Sequence, residues 1–160
     1  MFSDETLAPQ RVVGLVMYLL KEIQSQRLEL DDMDHTSRDL LGQGYTESEI
    51  NAAFTWVFAR LDGDDPSDVI YKASAQPFSF RVLHPAEKAV LKPDAYGLLI
   101  EMNVIGMLHT EEMDKIIERA MAFGGPMSVD DVKMLVHAHL FEEGTRSAGS
   151  ANIAYYDQIQ

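Results

Sequence analysis

The sequence contains no cysteine. Disulfides, thiolate metal sites and a cysteine nucleophile are therefore excluded, and the composition accords with a reducing cytosol. Positive charge is also scarce, with 13 Lys and Arg against 26 Asp and Glu in 160 residues and a formal net charge of −13. Such a surface repels phosphates and bare anionic membranes at long range, which argues against direct nucleic-acid binding. It suits plain solvation, a basic protein partner, or imitation of nucleic acid. Long apolar runs are missing too. The longest, Val12 to Leu20, falls far short of the ~20 residues that a membrane span requires. The opening Met1-Phe2-Ser3-Asp4-Glu5 is acidic where a secretory signal carries basic residues. A cytoplasmic protein with no membrane association is expected.

What is present is enough apolar material, 46% of the chain, for a folded core without covalent staples. Val12, Leu15, Val16, Leu19, Leu20 and Ile23 recur at helical spacing and predict a first helix over about 8–26 with one apolar stripe. A shorter second helix is expected to start at Asp31 or Asp32, either of which can cap it, and to end at Gly42 or Gly44. The third has the most explicit start. Thr46 and Glu49 form a capping box, and Tyr45 and Ile50 form a hydrophobic staple. Ala53, Phe54, Trp56, Val57, Phe58 and Leu61 then make it apolar on nearly every face, which predicts a helix buried all round at the centre of the N-terminal half.

From Asp62 to Pro77 the pattern breaks into acids, Ser, Ala and prolines, the natural joint between halves. Phe78, Phe80 and Val82 alternate with Ser79 and Arg81, a short strand signal, and Val69-Ile70-Tyr71 can pair with it as a hairpin. Beyond it, His84-Pro85-Ala86-Glu87 and Pro93-Asp94 open helices with Pro at the favoured first position. Thr110-Glu111-Glu112 opens a third with acids at the positive end of its dipole, closing at Gly124-Gly125. Ser128 and Asp131 resemble a capping box, with Met127 and Val132 as staple, for a last helix running to about Glu143. The expected fold is mainly α: a three-helix unit over residues 1–61, an acidic linker with a short β-hairpin over 62–83, a roughly four-helix unit over 84–143, and a flexible tail over 144–160 that ends in the sticky Tyr155-Tyr156.

Several of these segments, taken in order, resemble the bacterial Smg family. They are Leu15-Val16-Met17-Tyr18-Leu19-Leu20, Gly44-Tyr45 leading to Glu49-Ile50, then Ala53, Trp56 and Leu61. Phe80-Arg81-Val82 with Pro85-Ala86-Glu87 is similar to the family's middle segment, and Ile117-Glu118-Arg119-Ala120, Asp130-Asp131-Val132-Lys133 and Leu140-Phe141 to its closing helices. The match spans roughly residues 11 to 142. It implies a helical protein of similar size and brings no settled activity, so no catalytic or binding residue is carried over. Family genes often lie near those for peptide deformylation, formyl-methionyl-tRNA synthesis and DNA processing, which associates the family with that machinery.

Individual residues offer little chemistry. Of His35, His84, His109, His137 and His139, the pair at 137 and 139 stands about 200° apart around a helix and cannot share an ion there. His139 and Glu143 share a face, but two ligands do not make a site. Asp62-Gly63-Asp64-Asp65-Pro66-Ser67-Asp68 has Pro and Ser where a calcium loop needs an oxygen ligand and Gly. A helix-turn-helix over the second and third helices would present Glu47 and Glu49 to DNA, with Arg60 as its cation. Met102, Met107, Met113, Met121, Met127 and Met134 read as core filler sooner than as a partner groove. No nucleophile elbow or phosphate-cradling loop is present.

No catalytic, cofactor-binding or metal-ligating residue is therefore named, and no cofactor is expected. The sequence points to a non-catalytic interaction or regulatory module with a basic partner in translation or DNA processing. The alternative is a small-molecule enzyme or sensor with a pocket between the two halves near 62–77. Oligomeric state is left open.

Overall fold

Pro9 stands in the first turn of a helix, where its missing N–H removes no hydrogen bond. That helix, α1 (Pro9–Gln24), is the first of seven α-helices in a computed structural model that describes residues 8–28, 30–63 and 81–143. A 3₁₀ turn (Leu30–Asp32), α2 (Met33–Gly42) and α3 (Glu47–Gly63) follow. Then come α4 (Pro85–Val90), α5 (Pro93–Val104), α6 (Thr110–Phe123) and α7 (Val129–His137), the last continuing as a π-helical end (Ala138–Glu143). Among the described residues the architecture is mainly α, and no strand occurs. Residues 81–84 have no regular structure. Val69-Ile70-Tyr71, Phe78, Phe80, most of the acidic linker and the Tyr155-Tyr156 tail lie outside the described residues.

The centre of the fold is α1. Val12, Val13, Leu15, Val16, Met17, Leu19 and Leu20 are all buried, a wider band than the single stripe expected. The cause is that α1 packs against both α3 and α7, so two neighbours cover it. Each such side chain contributes roughly 1.5–3 kcal/mol on burial. This corrects the expectation for α3. That helix buries Ile50, Ala53, Phe54, Val57 and Leu61, whereas Phe58 remains 37% exposed and Trp56 is only partly buried. Its chief neighbour is α1, with α2 adding less, so the apolar residues on its far side have little to pack against.

Local chemistry sets the helix ends. Thr46 N–H donates to Glu49 Oε2 at 2.9 Å and Glu49 N–H donates to Thr46 Oγ1 at 3.2 Å, the expected capping box. Gly44 has φ +94° and Gly124 φ +71°, the left-handed conformation that closes a helix with least strain when no side chain is present. Ser128 and Asp131 cap α7 reciprocally. His84 caps α4, accepting from Ala86 N–H while its own N–H donates to Glu87. Asp32 occupies the cap position of α2, yet its side chain makes no cap bond, because the 3₁₀ turn runs straight into the helix.

A single cluster of buried apolar residues extends from Val13 to Leu140, drawing on helices before and after the joint. Met102, Met107, Met113 and Met127 belong to it, as core filler, while Met134 is half exposed. Met127 N–H donates to Val90 O at 2.7 Å beside a lone parallel bridge between Leu91 and Met127. That bond fixes the α4–α5 junction against the α6–α7 link. No described helix is long and apolar enough to cross a membrane.

Candidate functional site

Residues 81–100 enter and form α4 and α5, and Arg81 organises them. Its Nη2 donates to Glu87 Oε1 at 2.6 Å, and its Nε lies 3.1 Å from Asp114 Oδ1 on α6. Its carbonyl accepts from the Tyr96 hydroxyl on α5. The set is not fully satisfied: Arg81 Nη1 is buried without a hydrogen-bond partner, and Asp114 Oδ1, although paired by charge, is not aligned for a hydrogen bond. The His84 N–H, with help from Arg81, holds the Glu87 carboxyl below its ordinary range against the opposing effect of burial. Burial pushes the Tyr96 phenol up, with Arg81 opposing and Glu87 adding.

Beside Arg81 lies a cleft of about 460 Å³, within the size range of small-molecule sites. Val82, Leu83, Leu91, Pro93, Tyr96 and Ile100 form its walls, with Arg81 and Lys88 as the charged lining residues. Lys88 is exposed. The alternative reading of the sequence expected a pocket between the two halves. The lining residues of this cleft all come from 81–100, on the C-terminal side of the joint. Composition gave no sign of the cleft. The one local signal was Tyr96 and Ile100, four residues apart on one helix face.

A second charged cluster ties α1 to the turn before α3. Glu49 is 3% exposed, the one buried charged residue of the described chain, and Arg11 Nε pairs with it at 2.9 Å. Arg11 Nη2 also donates to Gly44 O at 2.7 Å, and its guanidinium lies 5.0 Å from the Tyr45 ring centre. Gly44, Tyr45 and Glu49, three of the residues that carried the family resemblance, thus converge on one cation. Toward the other end of α3, Arg60 lies 5.4 Å over Trp56 and 3.3 Å from Glu112. Trp56 in turn meets Phe141, on which His137 stacks at 4.7 Å.

The other histidines are scattered. His35 pairs with Asp39 at 3.2 Å on α2, and His84 and His109 stand at the starts of α4 and α6. His137 and His139 flank the change from α to π winding. Among the described residues no three His, Asp or Glu side chains gather where one ion could be held. The Asp62–Asp68 run has no described side chains.

Acids dominate the rest of the surface. Arg11, Lys21, Arg27, Arg60 and Arg81 are engaged by Glu49, Glu101, Glu22, Glu112 and Glu87 within the chain. Asp31, Asp32, Asp34, Glu47, Glu111, Glu118 and Asp130 stand exposed.

This helical chain matches, over residues 12–154, the family model described as Protein of unknown function (DUF494). The chain belongs to that family, the bacterial Smg family. It is 28% identical over 144 residues to a protein named Protein Smg homolog from Xylella fastidiosa (strain M23), covering 89% of each chain. It is likewise 28% identical over 129 residues to the Protein Smg homolog of Shewanella halifaxensis (strain HAW-EB4), covering 79% of this chain and 82% of the other. To the Protein Smg of Sodalis glossinidius (strain morsitans) it is 26% identical over the same length and coverage. No solved structure matches it.

Proposed function

We propose that this Smg-family chain is a non-catalytic interaction or regulatory module that docks a basic surface on a component of the translation or DNA-processing machinery. The observation that carries this reading is the use of charge. Five cations are committed to ion pairs inside the chain, while acids on the 3₁₀ turn, α2, α3, α6 and α7 face water. At a net charge of −13, the surface steers basic partners and repels phosphate backbones. Imitation of nucleic acid is the sharper form of this reading and requires competition with DNA or RNA for the same protein.

The test is affinity capture on the full chain, washed at low and moderate salt. It is followed by direct binding of the purified partner to the wild type and to a variant carrying Asp31→Lys, Asp32→Lys and Asp34→Lys. Binding that weakens with salt and with charge reversal supports the proposal. Binding indifferent to both defeats it. The other reading, a small-molecule enzyme or sensor, draws on the cleft at residues 81–100, and a ligand-dependent rise in Tm supports it.

A further inference from the structure

We propose that the cleft between α4 and α5 is a binding site for a small amphipathic carboxylate, its hydrocarbon chain against Leu83, Leu91 and Ile100 and its head group at Lys88. The cleft's volume of about 460 Å³ suits a small molecule and is too little for a folded partner. Its walls are almost wholly hydrocarbon. The Tyr96 hydroxyl is already donated to the Arg81 carbonyl, so that residue contributes ring surface and not a free donor. Val82 is 84% exposed, leaving apolar area uncovered at the cleft, and covering it is favourable.

The charge at this place runs against the rest of the molecule. In a chain of net charge −13, the charged residues lining the cleft are Arg81 and Lys88. Glu87 and Asp114 hold the Arg81 guanidinium, and its Nη1 is buried, so Arg81 lines the cleft with its stem and leaves the head group to Lys88. Lys88, exposed on α4, can swing toward a head group at the mouth. Hydrocarbon walls with a cation at the rim select an anion that carries a chain. A cation of the same chain length is repelled at the rim, and an anion without the chain gains nothing from the walls. The site needs no protein partner, so it stands or fails independently of the interaction reading.

Decanoate, kept below its micelle concentration, is the probe, titrated into the full chain by calorimetry and by NMR of the methyl groups. Acetate, decanol and decyltrimethylammonium are the controls. The expected result is saturable binding of decanoate that shifts the Leu83, Leu91 and Ile100 methyls and raises Tm. Decanol should bind the wild type, and decanoate the Lys88→Glu variant, roughly three- to tenfold more weakly than decanoate binds the wild type, with Lys88→Arg keeping wild-type affinity. Lys88 is exposed, so neither substitution disturbs the core. Three results overturn the proposal: absence of saturable binding, shifts confined to other residues, or equal binding of decanol and decanoate that ignores Lys88→Glu. Binding to anionic vesicles without binding of free decanoate also overturns it, in favour of a lipid surface.

Discussion

α1 and α3 pack against each other and both are rich in apolar residues, yet water reaches them very differently. In α1 Val12, Val13, Leu15, Val16 and Leu19 are fully buried, whereas α3 leaves Phe58 more than a third exposed and Trp56 partly so. The difference lies in the number of neighbours, since α1 has α3 on one side and α7 on another, while α3 has chiefly α1. The polar anchors differ in the same way. Arg11 on α1 reaches a carboxylate that is almost wholly buried, and Arg60 on α3 meets Glu112, which is 21% exposed, and the face of Trp56. Apolar content thus says that a helix has something to bury, while the arrangement of the other helices decides how much of it is covered.

The sharpest way to break this comparison is to cut both helices. Leu19→Ala leaves a cavity between α1 and its neighbours and should cost about 2–5 kcal/mol in urea unfolding, against roughly 1–2 kcal/mol for Phe58→Ala. Equal losses would show that α3 is as enclosed as α1. The next effect is at the anchors. Arg11→Ala leaves the buried Glu49 carboxylate without its cation, still held by the Thr46 N–H, and should cost roughly 2–3 kcal/mol, whereas Arg60→Ala, at a pair with no fully buried member, should cost about 1 kcal/mol. A double-mutant cycle with Glu49→Gln isolates the Arg11 pairing. Thr46→Ala, which removes one half of the capping box, should lower stability by about 1 kcal/mol without moving the denaturant slope.

The smallest effect is a pH dependence at α7. Burial holds His137 below its ordinary value of 6.5, against an opposing pull from Glu142. As pH falls below that value the unfolded chain takes up the proton first, so stability declines until the folded histidine also protonates. His137→Phe should flatten Tm between about pH 7 and about pH 5 relative to the wild type. A slope that survives the substitution would place its origin elsewhere.

The helix ends were legible in the sequence because capping chemistry is local. Thr46 with Glu49, Ser128 with Asp131, Pro85, Pro93 and Gly124 each act within a turn of their own position. Covering was not legible, because it is decided by residues far away in the chain. How much of α3 is covered depends on how α1 and α2 pack on it, and the Arg11–Glu49 and Arg81–Asp114 pairs join residues that no spacing rule connects. The π-helical end of α7 escaped notice for a related reason: Ala138–Glu143 still reads as a regular amphipathic turn. The cleft was hidden because its walls are ordinary core residues that acquire meaning only from the gap between them.

The position of α1 also bears on how the chain is made. α7 begins at Val129, more than a hundred residues after α1 ends at Gln24, and the two helices lie against each other. On the ribosome, then, the buried face of α1 emerges long before its second cover. Closing so long a loop is slow and entropically costly. Until α7 has left the exit tunnel, the flank of α1 that it covers is bare and is a natural substrate for chaperones. A nascent chain stalled before Val129 is left with that flank bare, so the arrival of α7 is the step that secures the core.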